Sequence, residues 1–180
     1  MGEGRVRVKM MSNSLQKTIG DLLRNRGWTL SIAESCTGGL ISDRITDVPG
    51  SSDYFEGGMV TYSNESKTGH LGIPLEYIKK YGAVSPQVAK KMAQGVRKAF
   101  STTFGLSTTG VAGPAGGTKR SPMGRVFIGF TGGRRTWVKR EDLRGSRREI
   151  KEKATEKALQ FFYGKIVHGD RLTKQATPKK

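Results

Sequence analysis

The sequence predicts an α/β fold, a sandwich of helices around a mixed sheet. Helical and strand periodicities interleave along its 180 residues, as sheet-and-helix layers require. Two late strands are joined at Gly132-Gly133, which marks an antiparallel hairpin inside that sheet. A chain of this length is expected to form one domain and bury about two-thirds of its unfolded surface.

Residues 1–11 are basic and lack a helix cap, so a flexible extension is expected there, ahead of a single domain over 12–165 and a basic flexible tail over 166–180. Ser12 or Ser14 caps a first helix running to about Arg26, with Leu15, Ile19, Leu22 and Leu23 on one face and Gly27 as its stop. A buried strand follows over about 28–33, then a helix over about 38–47 that Pro49 cannot continue. Gly57–Tyr62 reads as a strand, Asn64–His70 as a short helix and Pro74–Tyr81 as another. Ser85-Pro86 opens the clearest helix, because proline suits the first helical position and Val88, Met92, Val96 and Phe100 recur at helical spacing. Phe104–Thr109, Arg125–Thr131 and Thr136–Arg140 are predicted strands. A last helix spans about 146–163, with Ile150, Ala154, Ala158 and Leu159 facing inward.

Composition narrows the function classes. The lone Cys36 has no internal disulfide partner, and neither a long apolar run nor a charged-then-apolar leader is present, so a cytoplasmic protein without membrane contact is expected. The formal net charge is +17. It is concentrated late, since residues 119–153 carry twelve Lys/Arg against four Asp/Glu and residues 165–180 carry five against one. Three explanations are open: a nucleic-acid footprint, a field that draws in a small phosphorylated substrate, or a solvated basic surface with a basic tail. The basic stretches lack the interleaved aromatic platforms of single-strand binders, which weakens the first.

The segment Thr29–Gly39 runs from a buried strand into a polar, glycine-bearing turn that opens a helix. Ser35, Cys36 and Thr37 there place two hydroxyls and a thiol beside helix N–H groups that lack intrahelical partners, a place suited to an anion or a developing oxyanion. An ordinary Ser/Thr cap with packing glycines would have the same sequence. Two further glycine-rich turns stand at Pro49–Ser52 and Thr108–Thr118, and the loops after the first and third strands are expected to converge on one crevice. The second of these turns has the glycine content of a phosphate cradle, yet it fits neither the Walker nor the dinucleotide pattern.

Tyr62 ends a predicted strand and Lys67 lies one turn into the next helix, so both can face Ser35. Nucleophile, proton relay and base are thereby available, provided the lysine is neutral, which takes about 4 kcal/mol of environment set against its charge. A solvated lysine and an edge-of-core tyrosine are the alternative. His70 and His168 lack neighbours at ligand spacing, and Asp43, Asp47, Asp53 and Glu56 are irregularly spaced, so no metal is expected.

The strings Ala33–Gly39, Asp47–Gly58, Val60–Lys67, Gly82–Ser85 and Gly110–Thr118 together resemble, in order and spacing, the CinA C-terminal domain family, the nicotinamide-nucleotide amidohydrolases. The resemblance covers about residues 14–163. It implies an α/β/α three-layer sandwich with a mixed five-stranded sheet, and cofactor-free hydrolysis of the carboxamide of nicotinamide mononucleotide to nicotinate mononucleotide and ammonia. In that reading Ser35 is the nucleophile, and Tyr62 and Lys67 activate it. The turn at Cys36, Thr37 and Gly38 contacts the reacting amide. Ser52, Thr109, Gly110, Gly113, Gly116, Gly117 and Arg147 lie at the substrate, with the 110–118 loop and Arg147 on its phosphate. The partners implied are a pyridine nucleotide and further copies of the chain. Departures from the family pattern are Ala115, Arg125 after Gly124, and the basic surplus. That surplus, with the family's competence-related name, keeps a nucleic-acid-binding accessory role as the rival.

Overall fold

The computed structural model describes residues 3–167 of the chain. In order it forms α1 (Glu3–Arg26), β1 (Leu30–Glu34), α2 (Leu40–Thr46), β2 (Phe55–Val60), α3 (Asn64–Leu71), α4 (Leu75–Tyr81), α5 (Pro86–Phe100), β3 (Phe104–Gly110), β4 (Arg125–Gly132), β5 (Arg135–Asp142) and α6 (Arg147–Val167). The strands form one mixed sheet in the order β2-β1-β3-β4-β5. β1 pairs in parallel with β2 and β3, whereas β4 runs antiparallel to both β3 and β5. The predicted α/β class, mixed sheet and hairpin are therefore all present.

Helices cover both faces of the sheet. On one, α1, α2 and α6 bury Ile19, Leu23, Ile41, Ile45, Ala154, Ala158 and Leu159 against Leu30, Ile32 and Leu106, with Trp28, Phe104, Phe130 and Phe162 forming an aromatic centre. On the other, Val88, Met92 and Val96 of α5 meet Ala33, Leu71, Ile73 and Ile78. α5 begins as its sequence predicts, with the Ser85 hydroxyl accepting from Val88 N–H at 3.2 Å. Its backbone lies directly on the sheet, because Gly105 and Gly129 carry no Cβ that would run into the carbonyls of Ala93 and Ala89.

The boundaries differ in instructive places. Residues 3–11, expected as an extension, are the opening turns of α1; this stretch contains no proline, and only Gly4 disfavours helix. α6 continues to Val167 rather than ending near 163, since Phe162 and Ile166 extend its buried stripe and their burial outweighs Gly164. A single 3-10 turn at Ser51–Asp53 was not expected. Residues 168–180, most of the expected basic tail, lie outside the described residues. Among the described residues no helix is long and apolar enough to cross a membrane.

Candidate active site

The carboxyl end of β1 brings the chemistry together. β1 stops at Glu34 because the next two glycines turn the chain: Gly38 and Gly39 have φ of 62° and 99°, which side-chain-bearing residues rarely adopt. Ser35 is pinned at the lip of the sheet, its N–H donating to Thr108 O of the neighbouring β3 at 3.0 Å. The first residue after β1 is thereby tied to the carboxyl end of β3.

Lys67 comes to Ser35 from α3. Ser63 caps that helix by accepting from Ser66 N–H at 3.0 Å, which fixes the first turn and turns the Lys67 side chain inward. Lys67 is only 1 % exposed, and Nζ lies 3.2 Å from Ser35 Oγ. The remaining amine contacts are backbone carbonyls: Thr61 O at 2.8 Å, Tyr62 O at 3.3 Å and Ser63 O at 3.5 Å. Burial holds the amine below the ordinary lysine value, against smaller opposing pulls from Cys36 and Glu65. A neutral amine has two N–H groups and one lone pair. Thr61 O and Tyr62 O take the N–H groups, and the lone pair is left for the Ser35 hydroxyl.

Cys36 is buried beside it, and desolvation pushes its thiol up to about 12, so it remains protonated at neutral pH. The N–H groups of Cys36 and Thr37 have no partner in another residue among the described ones, whereas Gly38 N–H is already donated to Ser35 O.

Tyr62 is 59 % exposed, and its phenol accepts from Arg147 Nη2 at 2.8 Å. The expected relay from phenol to Ser35 or Lys67 is not formed; the Tyr62 backbone carbonyl, not its ring, reaches the lysine. Arg147 also donates from Nη1 to Gly113 O at 2.6 Å, so one guanidinium ties the 110–118 loop to Tyr62 across the mouth of the site. Arg125, unusual after Gly124, anchors the same loop by pairing with Asp142 at 2.8 Å and donating to Arg120 O at 3.0 Å.

Other expected ligand groups have different tasks. The Thr37 hydroxyl points inward to Glu34 Oε2 at 2.6 Å and Thr108 Oγ1 at 2.8 Å, and the Thr109 hydroxyl donates to Ala83 O at 2.8 Å. Both side chains hold the walls of the site, which leaves only their backbones for a ligand. Gly110 closes β3 opposite Val126, and Gly116 stands in the open part of the loop, with Gly117 against Met123. Ser52 is not brought to the site within this chain. It precedes β2 at the amino end of the parallel strands, a strand length of about 13 Å from Ser35.

Three contributors were not anticipated. Glu34 is fully buried, and its carboxylate accepts from Gly39 N–H, Ile41 N–H and Ser42 N–H at 3.0, 3.2 and 2.8 Å and from the hydroxyls of Thr37 and Ser42. The unpartnered amides expected to attract a ligand are therefore satisfied by the chain's own anion. Thr108 completes that network. Lys151 lies one helical turn after Arg147, and its Nζ is 3.3 Å from where a Gly38 Cβ would stand. Among the described residues no carboxylate pairs with it. Arg147 and Lys151 thus set two cations on one stripe of α6 beside the Ser35 turn. Glu34→Gln, which replaces one acceptor oxygen by a donor facing donors, is expected to lower stability by about 2–4 kcal/mol, read as the denaturation midpoint.

The CinA C-terminal domain family model matches residues 12–166. A CinA-like protein of Dictyoglomus thermophilum is 49 % identical over 149 residues, 83 % of this chain and 36 % of that one. A CinA-like protein of Nostoc sp. is 54 % identical over 121 residues, 67 % of this chain and 28 % of its own length. The chain thus spans about a third of the length of the curated relatives it matches. The crystal structure of the competence/damage inducible protein CihA from Agrobacterium tumefaciens superposes with a TM-score of 0.79 at 35 % identity, covering 85 % of this chain and 94 % of that one. That of the competence damage-inducible protein A from Klebsiella pneumoniae gives 0.85 at 28 % identity, covering 88 % and 99 %. Sequence, fold and topology agree, and the chain belongs to the CinA C-terminal domain family.

Proposed function

We propose that this chain hydrolyses the carboxamide of nicotinamide mononucleotide to nicotinate mononucleotide and ammonia, with Ser35 as nucleophile and Lys67 as base. The observation that carries the reading is the 3.2 Å approach of a buried amine without a carboxylate partner to a serine hydroxyl. Substrate identity rests on the family resemblance of the strings around Ser35 and Lys67.

The steps follow from the chemistry of an aromatic carboxamide, a weak electrophile with a poor leaving group. As Ser35 Oγ attacks the carbonyl carbon, its proton passes to Lys67 Nζ. The oxygen that becomes negative is met by the Cys36 and Thr37 N–H groups. Lys67 then gives its proton to the departing nitrogen, which leaves as ammonia and an ester on Ser35. Water attacks that ester, again losing a proton to Lys67, and returns the serine with a carboxylate product. Arg147, Lys151 and the 110–118 loop bind the distant phosphate and so align the amide.

The direct test is product analysis with nicotinamide mononucleotide, its nucleoside and free nicotinamide in parallel. Ammonia from the mononucleotide, indifferent to added DNA, supports the reading. No release, together with salt-sensitive DNA binding, would favour the accessory role instead. Arg147→Gln combined with Lys151→Gln is expected to raise KM for the mononucleotide at least about 10-fold and to erase its preference over the nucleoside, measured by steady-state kinetics. Cys36→Ala is expected to hold kcat/KM within about threefold, since its thiol is protonated and enclosed. Homo-oligomeric assembly belongs to the same proposal and is read by light scattering.

A further inference from the structure

At the opposite end of the sheet, the last turns of α5, the α5–β3 connection and the β4–β5 turn line an open cavity of about 460 Å³. This lies within the size range of small-ligand sites. Its wall carries three cations, Arg97, Lys98 and Arg134, and the hydroxyls of Ser101, Thr131 and Thr136; no carboxylate and no large apolar side chain lines it.

Arg97 is half-buried, whereas Lys98 and Arg134 stand exposed at the rim. The Arg97 guanidinium is fixed by neutral acceptors alone, Nε donating to Thr102 O at 3.2 Å and Nη1 to Gly133 O at 2.8 Å. No ion pair to it occurs among the described residues. Burial accordingly pushes its pKa down from the ordinary arginine value. The carbonyls ending α5, which basic side chains often serve, are already capped: Ser101 N–H donates to Lys98 O and Thr102 N–H to Arg97 O. A half-buried cation held by two carbonyls and set beside two more cations carries a charge that no carboxylate among the described residues neutralises.

We propose that this cavity is a second anion site, separate from the Ser35 site, that takes the phosphoryl group of a small phosphorylated molecule. Arg97 supplies the inner contact, and Lys98 and Arg134 close over the anion from the rim. The three cations share one depression bounded by a single helix end and a single turn, a footprint that matches one phosphoryl group rather than a run of phosphates. The site lies at the other end of the sheet from the turn that holds Ser35, so the two can be titrated separately.

Calorimetric titration of the full chain with inorganic pyrophosphate at constant ionic strength tests this. Two anions per chain are expected. Lys98→Gln with Arg134→Gln should remove one and leave the other, and Arg147→Gln with Lys151→Gln should do the converse. Both rim residues are exposed, so the first pair spares the fold, whereas Arg97→Gln removes two carbonyl contacts. An affinity at the far site reduced less than twofold by the rim pair would overturn the proposal. So would an oligonucleotide that binds there more tightly than pyrophosphate and is lost with the same pair. Absence of ammonia release would leave this titration unaffected, which separates the two proposals.

Discussion

Ser35→Ala is expected to lower ammonia release from nicotinamide mononucleotide at least about 10,000-fold, the scale seen when an activated nucleophile is deleted. The change removes one oxygen at a position 8 % exposed and leaves the Ser35 N–H bond to Thr108 O, so the sheet and turn are retained. The variant should still bind nicotinate mononucleotide with near-normal affinity, because Arg147, Lys151 and the 110–118 loop are untouched. Rapid-quench analysis gives the sharper reading. The wild type should accumulate or pass through an ester on Ser35, trappable at low pH, whereas the variant forms none. Turnover within tenfold of the wild type would remove Ser35 from its role and return attention to Cys36.

Lys67→Met is expected to match that loss, because it removes both the base for attack and the acid for ammonia departure. Its pH behaviour distinguishes chemistry from packing. The base must be neutral, so kcat/KM of the wild type rises as pH climbs through the Lys67 pKa. Desolvation places that limb below the ordinary lysine range. In Lys67→Met the limb disappears, and Lys67→Arg stays inactive across the range because its guanidinium keeps its proton. The same lowering has a stability consequence. Between the folded and unfolded pKa values the unfolded chain holds a proton that the folded chain releases, so stability rises with pH there and is lost as pH falls toward the folded value. A wild-type profile with no acid limb would exclude Lys67 as base.

Much of the fold was legible because its elements obey local rules. The apolar stripe and Ser85-Pro86 start of α5, the Gly132-Gly133 hairpin and the buried β1 each follow from spacing and turn chemistry within one segment. The ends of α1 and α6 were not, since their continuation depends on what the following turns pack against. In the site, Ser35 and Lys67 were visible as a pair only because strand and helix junctions were placed correctly. Tyr62 shows the limit. It was expected to end the strand and face Ser35, but β2 stops at Val60 and the partner of its phenol is Arg147, 85 residues away, which no periodicity encodes. Glu34 was unreadable for a similar reason. A strand-ending carboxylate normally faces solvent, and only the double glycine turn folds α2 back over it. Lys151 did leave a signal, since it stands four residues after Arg147 on a predicted helix and so shares its face.

The carboxylate beneath α2 also imposes a direction on anything that docks. A negative charge sealed under the Ser35 turn lowers the potential at that end of the site, while the paired cations of α6 raise it at the other. The mononucleotide proposed above has a cationic pyridinium ring at one end and a phosphate at the other, so both fields favour one orientation for it, ring toward the serine and phosphate toward α6.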